Sequence, residues 1–479
     1  MNIIFPPFEP DKASFNAQAS AIVTNVMPIA DGWGPMPSFQ PYASALPLPP
    51  RGSITARTAA GVQLSVVSTA SKLYQVNTDG TLADISTGTY AVPDGDEWSF
   101  GLFGNRIIAT NLTDGPQYFD IGSSSKFLPL LGSPPKARFV KVIGDFVALF
   151  QLAADKAAIH WSGINNSEQW VPGEELCDIN SFPDGEELMA VAANDSGATL
   201  AFRKGFRTMT FSPQSGYVFT FSPYFEGNGC SAPRSLVEIS GGEFIYYSES
   251  GFYRGPSGTP IGAERIDRWF KTVCSQDART RLKGVQDPFR KTVLFRYEDD
   301  GGNGYLLGYS WQQDRWFQSL TNVSGIGVYA TSALDLDSLD AIYGNLNAIP
   351  VSLDSEAFAG GLPSLSGFDE TFRLGFFDGL PQQADVYTNA IEFNPDARSY
   401  VDPIRVITDA PAFSVQVGES QYHDDTPVWG PSLFPSSRGR LAYARSDARL
   451  HSFRVTIPQG TSWKAISGLQ VPASRSAEL

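Results

Sequence analysis

The chain has 479 residues, with 50 Asp and Glu against 35 Lys and Arg and a net charge of −15. That balance argues against wholesale nucleic-acid binding through phosphate neutralisation. The length exceeds one compact core, so two or three domains are expected. The 45 glycines and 34 prolines, with few long helical patterns, point to many turns between short strands.

The N-terminus, Met1-Asn2-Ile3-Ile4-Phe5-Pro6-Pro7, lacks a basic start and breaks at proline, so no signal peptide is read there. No apolar run approaches a membrane span. The expectation is a protein made and used without secretion by a signal peptide. Residues 1–50 hold ten of the 34 prolines, with Phe5, Phe8, Phe15, Trp33, Phe39 and Tyr42 interspersed. Such a segment cannot be helical throughout, and its aromatics are costly to leave in water. It reads as an extended arm, packed on its own domain or on a neighbouring subunit.

From residue 51 to about 330 a hydrophobic hairpin recurs. Residues 61–66, 104–109, 144–149, 197–202 and 242–247 each pair a turn glycine with an apolar strand, at steps of 43, 40, 53 and 45 residues. A degenerate sixth copy, Arg290-Lys291-Thr292-Val293-Leu294-Phe295, begins 48 residues further on. The first five are followed by a second, aromatic-bearing strand, as in Lys72-Leu73-Tyr74-Gln75-Val76 and Arg207-Thr208-Met209-Thr210-Phe211. A period of about 40–50 residues made of short strands is the size of one four-stranded propeller blade. One blade cannot bury its own apolar face, so neighbours must stack. The fold class expected is therefore all-β: a β-propeller of six or seven blades over 51–330. Within it, residues 259–270 are the best helix candidate, because Ile266, Trp269 and Phe270 fall at helical spacing. Residues 305–311 and 314–317 read as strand, tight turn and strand.

Residues 331–378 change character, with eight acids (Asp335, Asp337, Asp340, Asp354, Glu356, Asp369, Glu370, Asp378) against Arg373 alone. They read as an acidic linker. Residues 379–479 alternate apolar and polar in strands such as 404–408, 413–417 and 453–457, which suits a small C-terminal β-sandwich or platform. Over 438–475 this domain is basic, with Arg438, Arg440, Arg445, Arg449, Arg454, Lys464 and Arg475 against Asp447.

No catalytic, cofactor-binding or metal-ligating set emerges. Cys177, Cys230 and Cys274 are odd in number and far apart, against a disulfide framework or metal cluster. His160, His423 and His451 lack zinc spacing with one another or with cysteine. Asp335, Asp337 and Asp340 resemble clustered calcium ligands, yet the intervening leucines and missing turn glycine favour a solvated acidic loop. Glu174-Glu175 and Asp184-Gly185-Glu186-Glu187 invite a glycosidase reading, but nothing fixes two carboxylates at a defined separation. Trp98, Trp161, Trp170, Trp311 and Trp316 either stack on sugars or fill gaps between blades, and packing is the commoner use.

Certain strings carry a resemblance. They are Ala19-Ser20-Ala21-Ile22-Val23-Thr24-Asn25-Val26-Met27-Pro28 leading to Gly34-Pro35-Met36-Pro37-Ser38, and Ile159-His160-Trp161-Ser162-Gly163 leading to Glu168-Gln169-Trp170. Pro260-Ile261-Gly262-Ala263-Glu264-Arg265-Ile266-Asp267-Arg268 and Asp287-Pro288-Phe289-Arg290-Lys291-Thr292-Val293 complete the set. In that order they resemble the β-propeller tail-hub or nozzle proteins of tailed bacteriophages. The resemblance implies a non-enzymatic virion component that assembles as a homo-hexameric ring. Its neighbours would be a portal–adaptor assembly and tail fibres, and DNA would pass through its channel without sequence-specific binding. It transfers no active-site residue. The residues themselves suit this in three ways: the aromatic arm for clasping, the opposite-charge segments for pairing between neighbours, and a net-negative wall that lets DNA pass. Two rival readings stand beside it, a receptor- or glycan-binding propeller and a polysaccharide hydrolase.

Overall fold

The structure is a computed structural model. It describes every residue except 185, 214–216, 240–241, 332–361, 396, 437–439 and 477–479. The turn glycines and apolar strands produce a ring of seven four-stranded antiparallel sheets. Blade 1 runs Ser53–Arg57, Gln63–Ser68, Leu73–Val76 and Leu82–Asp84. Blades 2 to 6 repeat the meander over residues 99–129, 137–181, 188–221, 237–260 and 283–319. Each recurring hairpin copy supplies the second strand of its blade. That strand has a neighbouring blade on both faces, which is why it is mostly apolar: all seven residues of Phe146–Leu152 are buried, and six of them are apolar. Full burial of each large apolar side chain there contributes roughly 1.5–3 kcal/mol.

Every blade interface is filled by apolar packing. Val66 and Ile107 share a buried cluster between blades 1 and 2, Ile108 and Val140 one between 2 and 3, and Phe150 and Leu200 one between 3 and 4. Ala201 and Phe244 follow between 4 and 5. Ile245, Phe295 and Ile326 belong to the large cluster spanning blades 5 to 7. Tyr329 and Val67 close the circle between 7 and 1. Hydrogen bonds seal that last junction: the Ala330 N–H donates to Thr55 Oγ1 at 3.2 Å, and Gln63 Nε2 donates to the Ala330 carbonyl at 2.6 Å.

Blade 7 departs from the expected linker. Gly325–Tyr329, Ser364–Phe368 and Arg373–Pro381 are its first three strands, and Pro37–Ala45 pairs antiparallel with Arg373–Pro381 as the fourth. Asp369 and Arg373 are a turn pair at 2.8 Å, not part of a solvated acidic run. Residues Asp335, Asp337, Asp340, Asp354 and Glu356 lie outside the described residues. The last blade is thus completed by residues from before the first, so separating the ends of the ring requires unzipping a strand.

The N-terminal arm is likewise consumed by the fold. Four short strands within residues 1–36 join the C-terminal domain, where they help build two sheets, while Glu9 and Asp11 pack on the 265–269 segment between blades 5 and 6. One sheet orders Val23–Thr24, Ala384–Tyr387, Leu450–Ile457, Ser414–Ser420 and Val428–Trp429. It is continuous with blade 6, because Thr24 pairs with Gln318. The other orders Val26–Ile29, Gly32–Pro35, Ile466–Gln470, Ile404–Thr408 and Leu441–Ala442, with Asn2–Ile4 added on Ile466–Gln470. Phe5, Phe8 and Trp33 are buried with Val415, Phe453 and Leu469, so these three leave water within their own chain, whereas Phe15 stays 65% exposed.

The helix is Asp267–Val273, displaced from 259–270 because Thr259–Pro260 serves as the outermost strand of blade 5. Its N-cap residue, Ile266, has no capping side chain. The arm supplies one instead: the Asp11 carboxylate accepts from the N–H groups of Arg268 at 2.8 Å and Trp269 at 2.7 Å. Two of the helix's orphan donors are thereby satisfied by a residue more than 250 positions away.

Candidate functional site at the propeller axis

The innermost strands of a propeller converge on its axis, and the loops that lead into them bring charged side chains there. A cavity of about 280 Å³ lies on the axis, lined from blades 1 to 6, with Trp98, Lys141, Arg234 and Lys283 among its walls. Asp96 and Glu97 enter from the loop between blades 1 and 2. Arg138 and Lys141 stand on the first strand of blade 3, Arg234 just before blade 5, Glu238 within blade 5, and Lys283 on blade 6.

These groups are committed to one another. Asp96, with a side chain only 6% exposed, accepts from Arg138 Nε at 3.1 Å and from Arg234 Nη2 at 3.5 Å. The same Arg234 nitrogen donates to the Glu97 carbonyl at 2.6 Å, and the guanidinium lies 5.0 Å from the Phe139 ring centroid. Glu97 pairs with Lys283 at 2.7 Å, and Glu238 with Lys141 at 3.3 Å. Burial pushes the Arg234 guanidinium down from its ordinary value, while Asp96 and Glu97 pull it back up. The network runs outward along one face. Arg138 reaches Gln151 at 3.4 Å, Gln151 donates to Glu187 at 2.6 Å, and Glu187 pairs with Lys156 and Arg203. Burial opposes ionisation of Glu187, yet the two cations hold its carboxyl below the ordinary range.

This arrangement pins blades across the ring; it does not present free acid and base. Glycoside hydrolysis needs two carboxylates flanking one bond, one of them able to carry a proton. Here each axial carboxylate already faces a cation. Removing one partner of the buried pairs at Asp96 costs on the order of 3–5 kcal/mol, whereas the more exposed Lys141–Glu238 pair adds little, so it is Asp96 with its two arginines that stiffens the ring.

The residues singled out from sequence scatter. Glu174 and Glu175 sit in the loop between the third and fourth strands of blade 3, whereas Asp184, Glu186 and Glu187 sit in the connection from blade 3 to blade 4. In an antiparallel meander those two loops lie on opposite faces of the ring. Asp184 and Glu186 are also taken by Arg207 and Lys204. Trp98, Trp161, Trp170 and Trp316 are buried, each donating its indole N–H to a carbonyl, of Thr69, Leu176, Ser167 and Ile261 respectively. Trp311 is partly buried against the large cluster. The four buried rings cannot stack on a sugar.

His160 packs edge-on against Trp170 at 5.2 Å and lies 3.5 Å from Cys177 Sγ, and burial lowers its basicity. His451 is fully buried and shifted in the same direction by burial, while His423 belongs to a surface loop beside Phe15. Burial pushes all three cysteine thiols up to about 11. The axial charges escaped the sequence reading because Lys141 and Glu238 are 97 positions apart, and Glu97 and Lys283 are 186 apart.

No family model and no curated protein matches the chain. Among solved structures it is similar to a Bacteroides fragilis protein assigned as a 6-phosphogluconolactonase, with 12% identity over 56% of this chain and 80% of that one, at a TM-score of 0.34. It is also similar to an exo-β-1,3-galactanase of Phanerochaete chrysosporium, with 9% identity over 80% of this chain and 97% of that one (TM-score 0.26). A third similar structure is the computationally designed Ika8 protein, with 8% identity over 71% of this chain and 98% of that one (TM-score 0.35).

Proposed function

We propose that this protein is a non-enzymatic, self-assembling subunit of a bacteriophage tail, a hub or nozzle component that forms a ring around the DNA exit path. The observation that supports it best is the closed axis, where a propeller's converging loops are spent on a mutual charge network. The stretches that resemble tail-hub and nozzle proteins, around 19–38, 159–170, 260–268 and 287–293, supply the virion context. Because Arg234 bridges to Asp96 across the ring, duplex DNA cannot thread a single propeller. The conduit therefore lies between copies, walled by a chain of net charge −15 that repels phosphate. A portal–adaptor assembly and tail fibres are the expected neighbours. No helix among the described residues is long and apolar enough to cross a membrane. The test is immunogold labelling of phage particles carrying this gene. Label confined to the tail is expected; particles that infect normally and lack the protein would overturn the reading.

A further inference from the structure

The two ends of the molecule carry complementary, outward-facing surfaces. On the sandwich, alternation along Ile404–Thr408 turns Arg405 and Ile407 outward. Strand register places Ile407 and Ile4 on either side of Gly468, and Arg405 opposite Leu441. Ile4 is 73% exposed, Ile407 42% and Tyr443 54%. Arg405, Arg440 and Arg445 are exposed beside them and make no ion pair among the described residues. Arg440 Nη1 donates to the Thr408 carbonyl at 3.0 Å, which holds its charge at the edge of this strand, and an apolar sheet face carrying three cations without acidic partners is unusual for a monomer's outer surface.

Across the ring, the rim of blade 3 shows the opposite charge. Its outermost strand, Asp178–Ser181, is a free sheet edge exposing Ile179, and the preceding loop exposes Val171 and Leu176. Leu131 is exposed next to them, because the Gly132 backbone packs on Glu168 and Trp170. Glu174, Glu175 and Asp178 are exposed there, and none has a cation partner among the described residues. The sandwich extends outward from blade 6, and in a seven-bladed ring the point opposite blade 6 falls between blades 2 and 3.

From this we infer that the arginine-bearing sandwich face of one copy docks on the acidic, apolar rim of blade 3 of the next. The contact is head-to-tail, so each copy keeps one free surface of each kind until a ring closes. Charge complementarity selects this pairing over self-pairing of either face, where like charges would meet. The inference rests on the ring-subunit reading above and assigns the surfaces that would build the ring.

Two variants test it: Arg405→Glu/Ile407→Glu on the sandwich face, and Glu174→Lys/Ile179→Lys on the rim. All four positions are exposed, so melting temperatures near the wild type are expected. By mass photometry each variant alone should lose ring assembly, with association weakened at least about 30-fold. Mixed together they should form a one-to-one dimer that stops at two, since one good surface of each kind remains. Wild-type rings from either variant, or a mixture that stays monomeric, would overturn the assignment. If the wild type forms rings and both variants do too, these surfaces are wrong while the ring-subunit reading stands. A wild type that never assembles sinks both.

Discussion

At the scale of single residues, two carboxylates have consequences that can be measured. Asp11 satisfies two helix N–H groups that no nearby side chain reaches. Replacing it with alanine should cost about 1–2 kcal/mol, with hydrogen exchange accelerated first in the helix Asp267–Val273; an unchanged melting curve would refute the cap. Asp267 has the opposite character. Burial lifts its carboxyl to about 6, although the Phe252 N–H it accepts and nearby Lys271 pull it down. The folded state therefore holds its proton more tightly than the unfolded chain, and stability falls as pH rises from roughly 4 to 6, by at most about 3 kcal/mol. Asp267→Asn should flatten that decline, which denaturant titrations at pH 4, 5, 6 and 7 would reveal; an equal slope in both proteins would refute the assignment.

At the scale of elements, the seventh blade is where the chain's two ends are tied together. Its fourth strand, Pro37–Ala45, lies so close to Arg373–Pro381 that a Cβ on Gly375 would sit 2.1 Å from the Gln40 carbonyl oxygen. Gly375→Val should force the strand off and destabilise by at least about 3 kcal/mol. Limited proteolysis between residues 30 and 50 is the sensitive readout, and resistance equal to the wild type would contradict the closure. Elements also show what the sequence made legible. The second strands of blades 1 to 6 are mostly apolar on both faces, and their recurrence, glycine-led in the first five, gave the propeller away. Blade 7 was hidden because its strands come from residues 37–45, 325–329 and 364–381, and no local period links them. Over 364–378 the linker reading failed for a related reason: the acid-rich composition of 331–378 masked the strand Ser364-Leu365-Ser366-Gly367-Phe368, while 332–361 lies outside the described residues. The burial of Phe5, Phe8 and Trp33 followed from their aromatic character, Phe15 stayed exposed, and the arm's division between sandwich and blade is decided by tertiary pairing alone.

At the scale of the whole molecule, a disc with a charge-pinned axis carries one sandwich on its side, and the first and last described strands, Asn2–Ile4 and Ala473–Arg475, both pair within that C-terminal domain. Internal pairing uses part of the basic segment, since Arg449 reaches Glu392 and Arg454 reaches Asp385. Arg405, Arg440 and Arg445 are left to face outward. The propeller's axis is closed to DNA by bridges that no single-residue pattern disclosed, so transport, if this chain serves it, belongs to the assembly. Electron microscopy of the purified full chain tests that most directly. Class averages should show closed rings of copies around an opening wide enough for duplex DNA, each copy a compact disc with one lateral lobe. Single discs at every concentration, with no ring in any class, would contradict it.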